Sequence, residues 1–542
     1  MTARSLALLL AVFIAFVAAL STVVHRAARL HTPADVVTIA SVWNEGKLEA
    51  RAILPRDPEP TGELVVLETI VGESAIVVEP ELVFALSLVP GHDGVSATLG
   101  GETAYVTPDD LLALQAYDHG AGLPELGISI GVRTADLLAL LAQRLRTSPG
   151  EAQKRANFRR IRVERTLRGT EPSPQSLVTA DTLTRAIVRE AAFSAARYLA
   201  RGMSLDGRMR YAIDAPTNKD LPGYEWPRHA GATYFLAQAA AASREPELAI
   251  AATRAASLLR DKASLTCGEY RCIGDDSTIE IGSSALAILA FVEIVRTGLD
   301  ASFEPLARDL ARFLRAQQRP DGEFMHIYER PSRHPVDEQF LYFSGEAAFA
   351  LARVHLVTHE QADLDAASRA LAYLVGPAWS FFGSRYYFGE EHWTCQAMDE
   401  LWQRAPNPAA LDFCVRWHAY SRRMQYGLGE TPFDADGAFG VGPIVTPRLT
   451  PVASRSEAGV ATRHALALSH GSEEELRELD AQLRRSLALL VRSQFRPGPR
   501  HLLADPQAVA GAIPGSEVDW QLRIDYAQHA GSAMLRWLEV VP

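Results

Sequence analysis

From Ala180 to the C-terminus, apolar residues recur at intervals of three and four, the spacing of one buried helical face. Twelve such segments fall into six pairs. The first members cover about 180–203, 245–261, 302–317, 360–375, 407–425 and 473–493, and the second members about 228–243, 280–297, 343–357, 391–404, 456–470 and 524–539. The first members are amphipathic, as in 304–315, where Arg308, Asp309, Arg312 and Arg315 share an outward face. The second members, such as Ala230-Gly231-Ala232-Thr233-Tyr234-Phe235 and Ser283-Ser284-Ala285-Leu286-Ala287-Ile288, have little polar face, which predicts burial all round. Connections between pairs are a few residues long; within a pair they run roughly 15 to 30, well beyond ordinary loops. The pattern predicts an inner ring of helices inside an outer ring, an (α/α)6 toroid with its long loops on one face.

Upstream of Ala180 the pattern changes. Val36–Ala40, Leu64–Val71 and Ala75–Val78 are rich in β-branched residues and predict strands. Residues 96–106 predict a hairpin turned at Gly100-Gly101. Thr107-Pro108-Asp109-Asp110 supplies an N-cap and a first-position proline for a helix over 111–117, and a second helix is expected over 134–145. Asp109 and Asp110 are read as partners of the helix dipole. Phe158–Val163 alternates as an exposed strand would. The fold class expected is therefore α+β overall: a small mixed α/β domain over 36–170, then an all-α toroid over 180–542. Before both lies an uncharged apolar run, Leu6 to Val24, within a segment 1–30 that reads as a signal peptide or a membrane anchor. Either reading exports the rest of the chain to a periplasmic or extracellular compartment, anchored by residues 6–24 if they are not cleaved.

A net charge of −11, with basic residues dispersed, excludes the concentrated positive patch a nucleic-acid groove requires. An oxidising compartment would permit Cys267 and Cys272 to pair across a short turn. No second cysteine or histidine pair has zinc-ligand spacing, so no metal site is expected, and no cofactor. The glycines of 427–430 and 437–442 neither follow a strand nor open a helix, and no HExxH, P-loop or nucleophile-elbow pattern is present.

Candidate chemistry gathers at the six inner-helix openings. Tyr224–Gly231, Ile279–Ala285, Phe343–Ala348, Glu390–Cys395, Arg455–Val460 and Asp525–Gly531 each set acids, bases or aromatics before a small-residue helix. If the helices share one direction, these side chains meet at one cavity mouth. Glycosidic hydrolysis needs a protonated carboxyl and a second carboxylate, and unequal burial can separate their pKa values. Glu346 with Glu457, then Glu280 with Glu391, are the candidates. His229, His392 and His529 are the alternative proton carriers, with Tyr224, Tyr342, Tyr386, Tyr387 and Tyr526 beside them and Arg228, Arg385 or Arg455 as the cation that abstraction beside a uronate carboxylate requires. Glu225, Trp226, Arg228, Asp321, Trp379, Tyr387, Trp393 and Asp519 are the expected substrate contacts, the aromatics by stacking on sugar faces. Each helix-start acid or histidine also has a local account, as a dipole partner or cap.

The six hairpins, the turn Gln318-Arg319-Pro320-Asp321-Gly322-Glu323-Phe324 and the Gly-x-x-Ala inner helices resemble the six-hairpin glycosidase-like superfamily over about residues 180–542. The resemblance implies an enzyme among glycoside hydrolases, polysaccharide lyases and sugar epimerases, including the D-glucuronyl C5-epimerase type, with a glycan as partner. Fold likeness does not assign the reaction. The expectation is a carboxylate glycoside hydrolase, with a uronate epimerase or lyase, or a non-catalytic glycan-binding or envelope-assembly scaffold, as alternatives.

Overall fold

The computed structural model describes residues 13–18, 29–45, 47–55, 59–123, 128–169, 178–378, 392–430, 434–440, 446–496 and 501–541. Most of the apolar run 6–24 lies outside them, and no helix among the described residues is long and apolar enough to cross a membrane.

Strands β1 (Thr38–Asn44), β2 (Lys47–Leu54), β3 (Leu64–Ala75), β4 (Asp93–Leu99) and β5 (Glu102–Val106), with the later β8, form an antiparallel sheet in the order β2-β1-β3-β8-β4-β5. Helices α1 (Glu81–Ser87), α2 (Pro108–Ala113), α3 (Thr134–Arg144) and α4 (Pro149–Arg155), and a hairpin of β6 (Tyr117–Leu123) and β7 (Ile128–Val132), complete this region. The β4–β5 hairpin turns at Gly100-Gly101 as expected. Thr107 caps α2 through a capping box with Asp110. Three expectations need correction. Residues 75–78 make no strand of their own, and α2 ends at Ala113, so that Tyr117 belongs to β6. The segment read as an exposed strand is the interior strand β8 (Asn157–Arg168), flanked by β3 and β4, with Phe158, Ile161 and Val163 buried. Its arginines suggest exposure, but Arg162 is paired with Asp93 of β4 and Arg165 with Asp109 of α2. Asp109 and Asp110 are thus more than dipole partners, since Asp110 also binds Arg51 and Arg144.

The helical part alternates strictly. Its outer helices are α5 (Arg185–Arg201), α7 (Pro246–Leu258), α9 (Glu304–Gln317), α11 (Gln361–Leu374), α13 (Pro408–Arg422) and α15 (Glu473–Ser493). The inner ones are α6 (Trp226–Ser243), α8 (Ile281–Arg296), α10 (Phe343–Thr358), α12 (His392–Leu401), α14 (Leu449–Leu468) and α16 (Ile524–Val540). Each inner helix packs on the next, α6 on α8 through to α14 on α16, and α16 packs back on α6. Outer helices lie against them, and α8, with Ile281 to Ile294 buried, shows why the inner sequences lack a polar face. The expected boundaries hold to a few residues except at α14, which begins at Leu449 instead of 456. Pro451 lies in its first turn, where a missing N–H costs nothing, so Arg455, Ser456 and Glu457 sit inside the helix and not at its opening.

Inner helices approach closely through glycine. A Cβ on Gly531 of α16 would overlap the Phe235 ring of α6, one on Gly282 of α8 would overlap Glu346 and Phe343 of α10, and one on Gly345 of α10 would stand 2.9 Å from Trp393 Cβ of α12. The small mixed region docks on the segment before α16: His501 Nε2 lies 3.1 Å from Asp109, and Trp43 stacks edge-on to His501. Both Cys267–Cys272 and Cys395–Cys414 are disulfides. The second, unforeseen because its cysteines lie on different elements, ties α12 to α13.

Gly531→Ala is expected to lower stability by about 1–3 kcal/mol, the usual cost of overpacking a filled core. It would be read as a lower urea midpoint at constant slope; an unchanged midpoint would show that α6 and α16 do not meet as described.

Candidate active site

A cavity of about 640 Å³ opens at the N-terminal ends of the inner helices, lined by residues that open α6, α8, α10, α12, α14 and α16. Its polar wall holds Glu225, Arg228, Glu280, Glu346, His392, Arg523, Asp525 and His529, with Trp393 beside them. Gln339, Phe340, Leu341 and Tyr342 form a lip, and its three large apolar side chains are exposed. Such a lining, apolar with a few convergent polar groups, is that of a small-ligand site.

Glu280 ends a short strand, Thr278–Glu280, paired with Ile327–Glu329, and precedes α8 without capping it through its side chain. Its carboxylate is left to face the cavity. Burial and the neighbouring Asp275 raise its pKa, opposed by Arg228. Glu346 lies in the first turn of α10, packed over Gly282 and 6% exposed. Burial pushes its pKa up to about 8; His529, Arg228 and the indole N–H of Trp393 pull it down, while Glu280 pushes it further up. The helix dipole that would favour its anion is outweighed by desolvation. At neutral pH the cavity therefore contains a protonated carboxyl beside a less perturbed one.

Cations in the cavity are held by Asp525. Arg523 Nε and Nη2 reach its two oxygens at 2.6 and 2.8 Å, and Arg228 Nε lies 3.5 Å away while Arg228 Nη1 donates to the Tyr211 hydroxyl at 2.9 Å. Arg228 also pairs with Glu225. At the floor, His529 Nδ1 lies 2.7 Å from Glu457 Oε2, and the His392 ring meets the His529 ring edge-on at 5.3 Å. Burial holds the His392 pKa well below its ordinary value. His392, Glu457 and His529 bring three ligand atoms within 4.8 Å of one another, the set among the described residues that could hold a metal.

Among the residues expected from sequence, the cavity gathers Glu225, Arg228, Glu280, Glu346, His392 and Trp393. Others lie elsewhere. Glu457, displaced inward by the earlier start of α14, lines a separate chamber of about 40 Å³ lower in the ring. His229 uses both nitrogens internally: Nε2 donates to the Ala255 carbonyl at 2.9 Å, so Nδ1 accepts from the Tyr224 hydroxyl at 2.6 Å. Burial lowers its pKa to about 4, and it serves to fix the start of α6. Trp226 donates to Asp275 at 3.1 Å outside the cavity. Asp321 pairs with Arg319 and accepts from the Glu323 N–H, organising its own turn. Asp519 is buried, accepts from the Gln521 N–H and pairs with Arg448. Arg455 donates to the Pro451 carbonyl and lies over Phe439. Glu391, Trp379, Tyr387 and Arg385 lie outside the described residues. Tyr342 of the lip is among the tyrosines expected beside the helix openings, whereas Arg523 and residues 339–341 are not foreseen; Arg523 ends the strand Gln521–Arg523 two positions before Asp525 in the first turn of α16, and residues 339–341 carry no motif.

No family model matches the sequence, and no curated protein does. Solved structures do. A D-mannose isomerase aligns with TM-score 0.52 at 12% identity, covering 69% of this chain and 100% of its own. A sugar epimerase from a ruminal bacterium aligns with TM-score 0.49 at 13% identity over 66% of this chain and 100% of its own. A cellobiose 2-epimerase from Spirochaeta thermophila reaches TM-score 0.48 at 13% identity, over 66% and 98%. The helical part shares the fold of the D-mannose isomerase. At such identity the likeness concerns fold alone, and the chemistry must be argued from the cavity.

Glu346 also makes the fold sensitive to pH. Its folded pKa is about 8 against an ordinary 4.5, so the folded state holds the proton more tightly. Its contribution is complete below pH 4.5 and is lost as pH rises through 8. Urea midpoints for the Glu346→Gln variant should therefore fall less between pH 5 and pH 8 than those of the unaltered protein; equal declines would contradict the buried neutral carboxyl.

Proposed function

We propose that the chain is a carbohydrate-active enzyme that hydrolyses glycosidic bonds in the cavity of an (α/α)6 toroid. The observation that carries this reading is the neutral carboxyl of Glu346 facing a cavity that Glu280 also lines. Glu346 donates its proton to the leaving glycosidic oxygen, and Glu280, less buried and more easily ionised, activates water or stabilises the oxocarbenium-like centre. Arg228, Arg523 and Asp525 form a fixed polar wall for sugar hydroxyls, while Trp393 and the apolar lip offer faces for the ring. An open cavity lined by two such acids weighs against a non-catalytic scaffold.

The toroid occupies 180–542, and residues 36–170 form a separate small α+β domain that supplies no cavity wall among the described residues. Two disulfides support an oxidising compartment and so an exported enzyme, periplasmic or extracellular.

Incubation with a panel of neutral and acidic oligosaccharides should yield new reducing ends without solvent deuterium in recovered substrate. Glu346→Gln should lower kcat by about 10²–10⁴-fold, the usual worth of a positioned acid, and the unaltered enzyme should slow as pH rises through about 8. Deuterium incorporation without cleavage would overturn hydrolysis in favour of epimerisation, with the His529–Glu457 pair as base; full activity in Glu346→Gln would remove the assigned acid.

A further inference from the structure

We infer that His392, Glu457 and His529 form a site for one divalent transition-metal ion, of the zinc class, at the floor of the cavity. The three residues come from three consecutive inner helices, α12, α14 and α16, each packed on the next. They share no local motif, which is why spacing along the chain carries no ligand signature. Their ligand atoms all lie within 4.8 Å of one another, and His529 Nδ1 is 2.7 Å from Glu457 Oε2. Ligands bound at about 2.0–2.1 Å stand roughly 3.3 Å apart in a tetrahedron. The site is thus formed to within small side-chain rotations. His392 and Glu457 are each 3% exposed, and His529 is mostly buried, so chain entropy already lost on folding would not be lost again on binding.

Composition selects the ion. Two imidazoles and one carboxylate suit zinc and its neighbours, whereas magnesium and calcium prefer oxygen ligands alone. Two histidines and a glutamate with a fourth position open is the arrangement of catalytic, not structural, zinc sites. Here the open side is the cavity, since both histidines line it, while Glu457 closes the site from the chamber below. The Trp393 ring packs at a tilt against His392, with centroids 4.5 Å apart, and stands 5.9 Å from His529. Arg455 is a positive charge near His392 that works against a cation there; its guanidinium is engaged by the Pro451 carbonyl and the Phe439 ring. A bound ion would present a coordinated water or substrate hydroxyl to the cavity holding Glu346. The inference stands on the ligand geometry and not on the hydrolase reading.

Chelator-treated full-length protein, titrated with Zn²⁺ by calorimetry and with Co²⁺ by visible absorption, should bind one ion per chain. Glu457→Gln and His392→Ala should each weaken binding by more than about 100-fold, beyond the 10–100-fold typical of losing an outer partner. If His392→Ala does not fold, the isosteric Glu457→Gln carries the test. Absence of saturable binding to the unaltered protein, or equal binding in the variants, would overturn the site.

Discussion

The structure depends on how closely six buried helices can approach around a closed ring. Gly531 against Phe235 and Gly231 against Gln528 mark the contact of α16 with α6, Gly282 against Glu346 and Phe343 that of α8 with α10, and Gly345 against Trp393 and Thr394 that of α10 with α12, all within the first three turns of the inner helices. A Cβ at Gly531, Gly282 or Gly345 would press against the neighbouring inner helix. α12 has Cys395 in the corresponding turn, and there a disulfide to Cys414 holds the helix against its outer partner. Close packing at this pole also desolvates Glu346: the same Gly282 that admits α10 leaves the carboxyl lying on the α8 backbone, away from water.

The opposite pole is closed by charge. Arg353 pairs with Glu293 and reaches Glu400 at 2.9 Å, Arg536 reaches Asp399 at 2.7 Å, and His464 meets the other oxygen of Asp399 at 2.7 Å. These residues come from the later turns of α8, α10, α12, α14 and α16. Buried ion pairs add little net stability against apolar packing, but breaking one strands a charge, so the network favours a single arrangement of the ring. The molecule is thus open where the helices begin and shut where they end, and the two chambers meet at His529 and Glu457.

Helical periodicity made the six pairs legible, and the unequal connections correctly implied that the inner helices begin on one face. What periodicity could not convey was depth. A helix start is marked weakly when proline and threonine precede the apolar run, so the sequence points to a start at 456 and to Glu457 at the mouth, when α14 begins at Leu449 and Glu457 lies below it. His229 illustrates a second limit: whether a histidine serves chemistry or the fold depends on partners distant in sequence, here the Ala255 carbonyl. The interior strand β8 was misread because its arginines are neutralised by acids contributed from elsewhere in the chain. Glu280 and Glu346 were legible as acids at helix starts, while their unequal burial emerges only from packing.

The proposed chemistry rests on a carboxylic acid that burial keeps neutral in the cavity. ¹³C NMR of glutamate carboxyls in the labelled full-length protein, with the Glu346 signal assigned by its loss in Glu346→Gln, tests it most directly. Titration near pH 8 is expected; titration near the ordinary value of 4.5 would show an ionised, solvated side chain and remove the proposed acid.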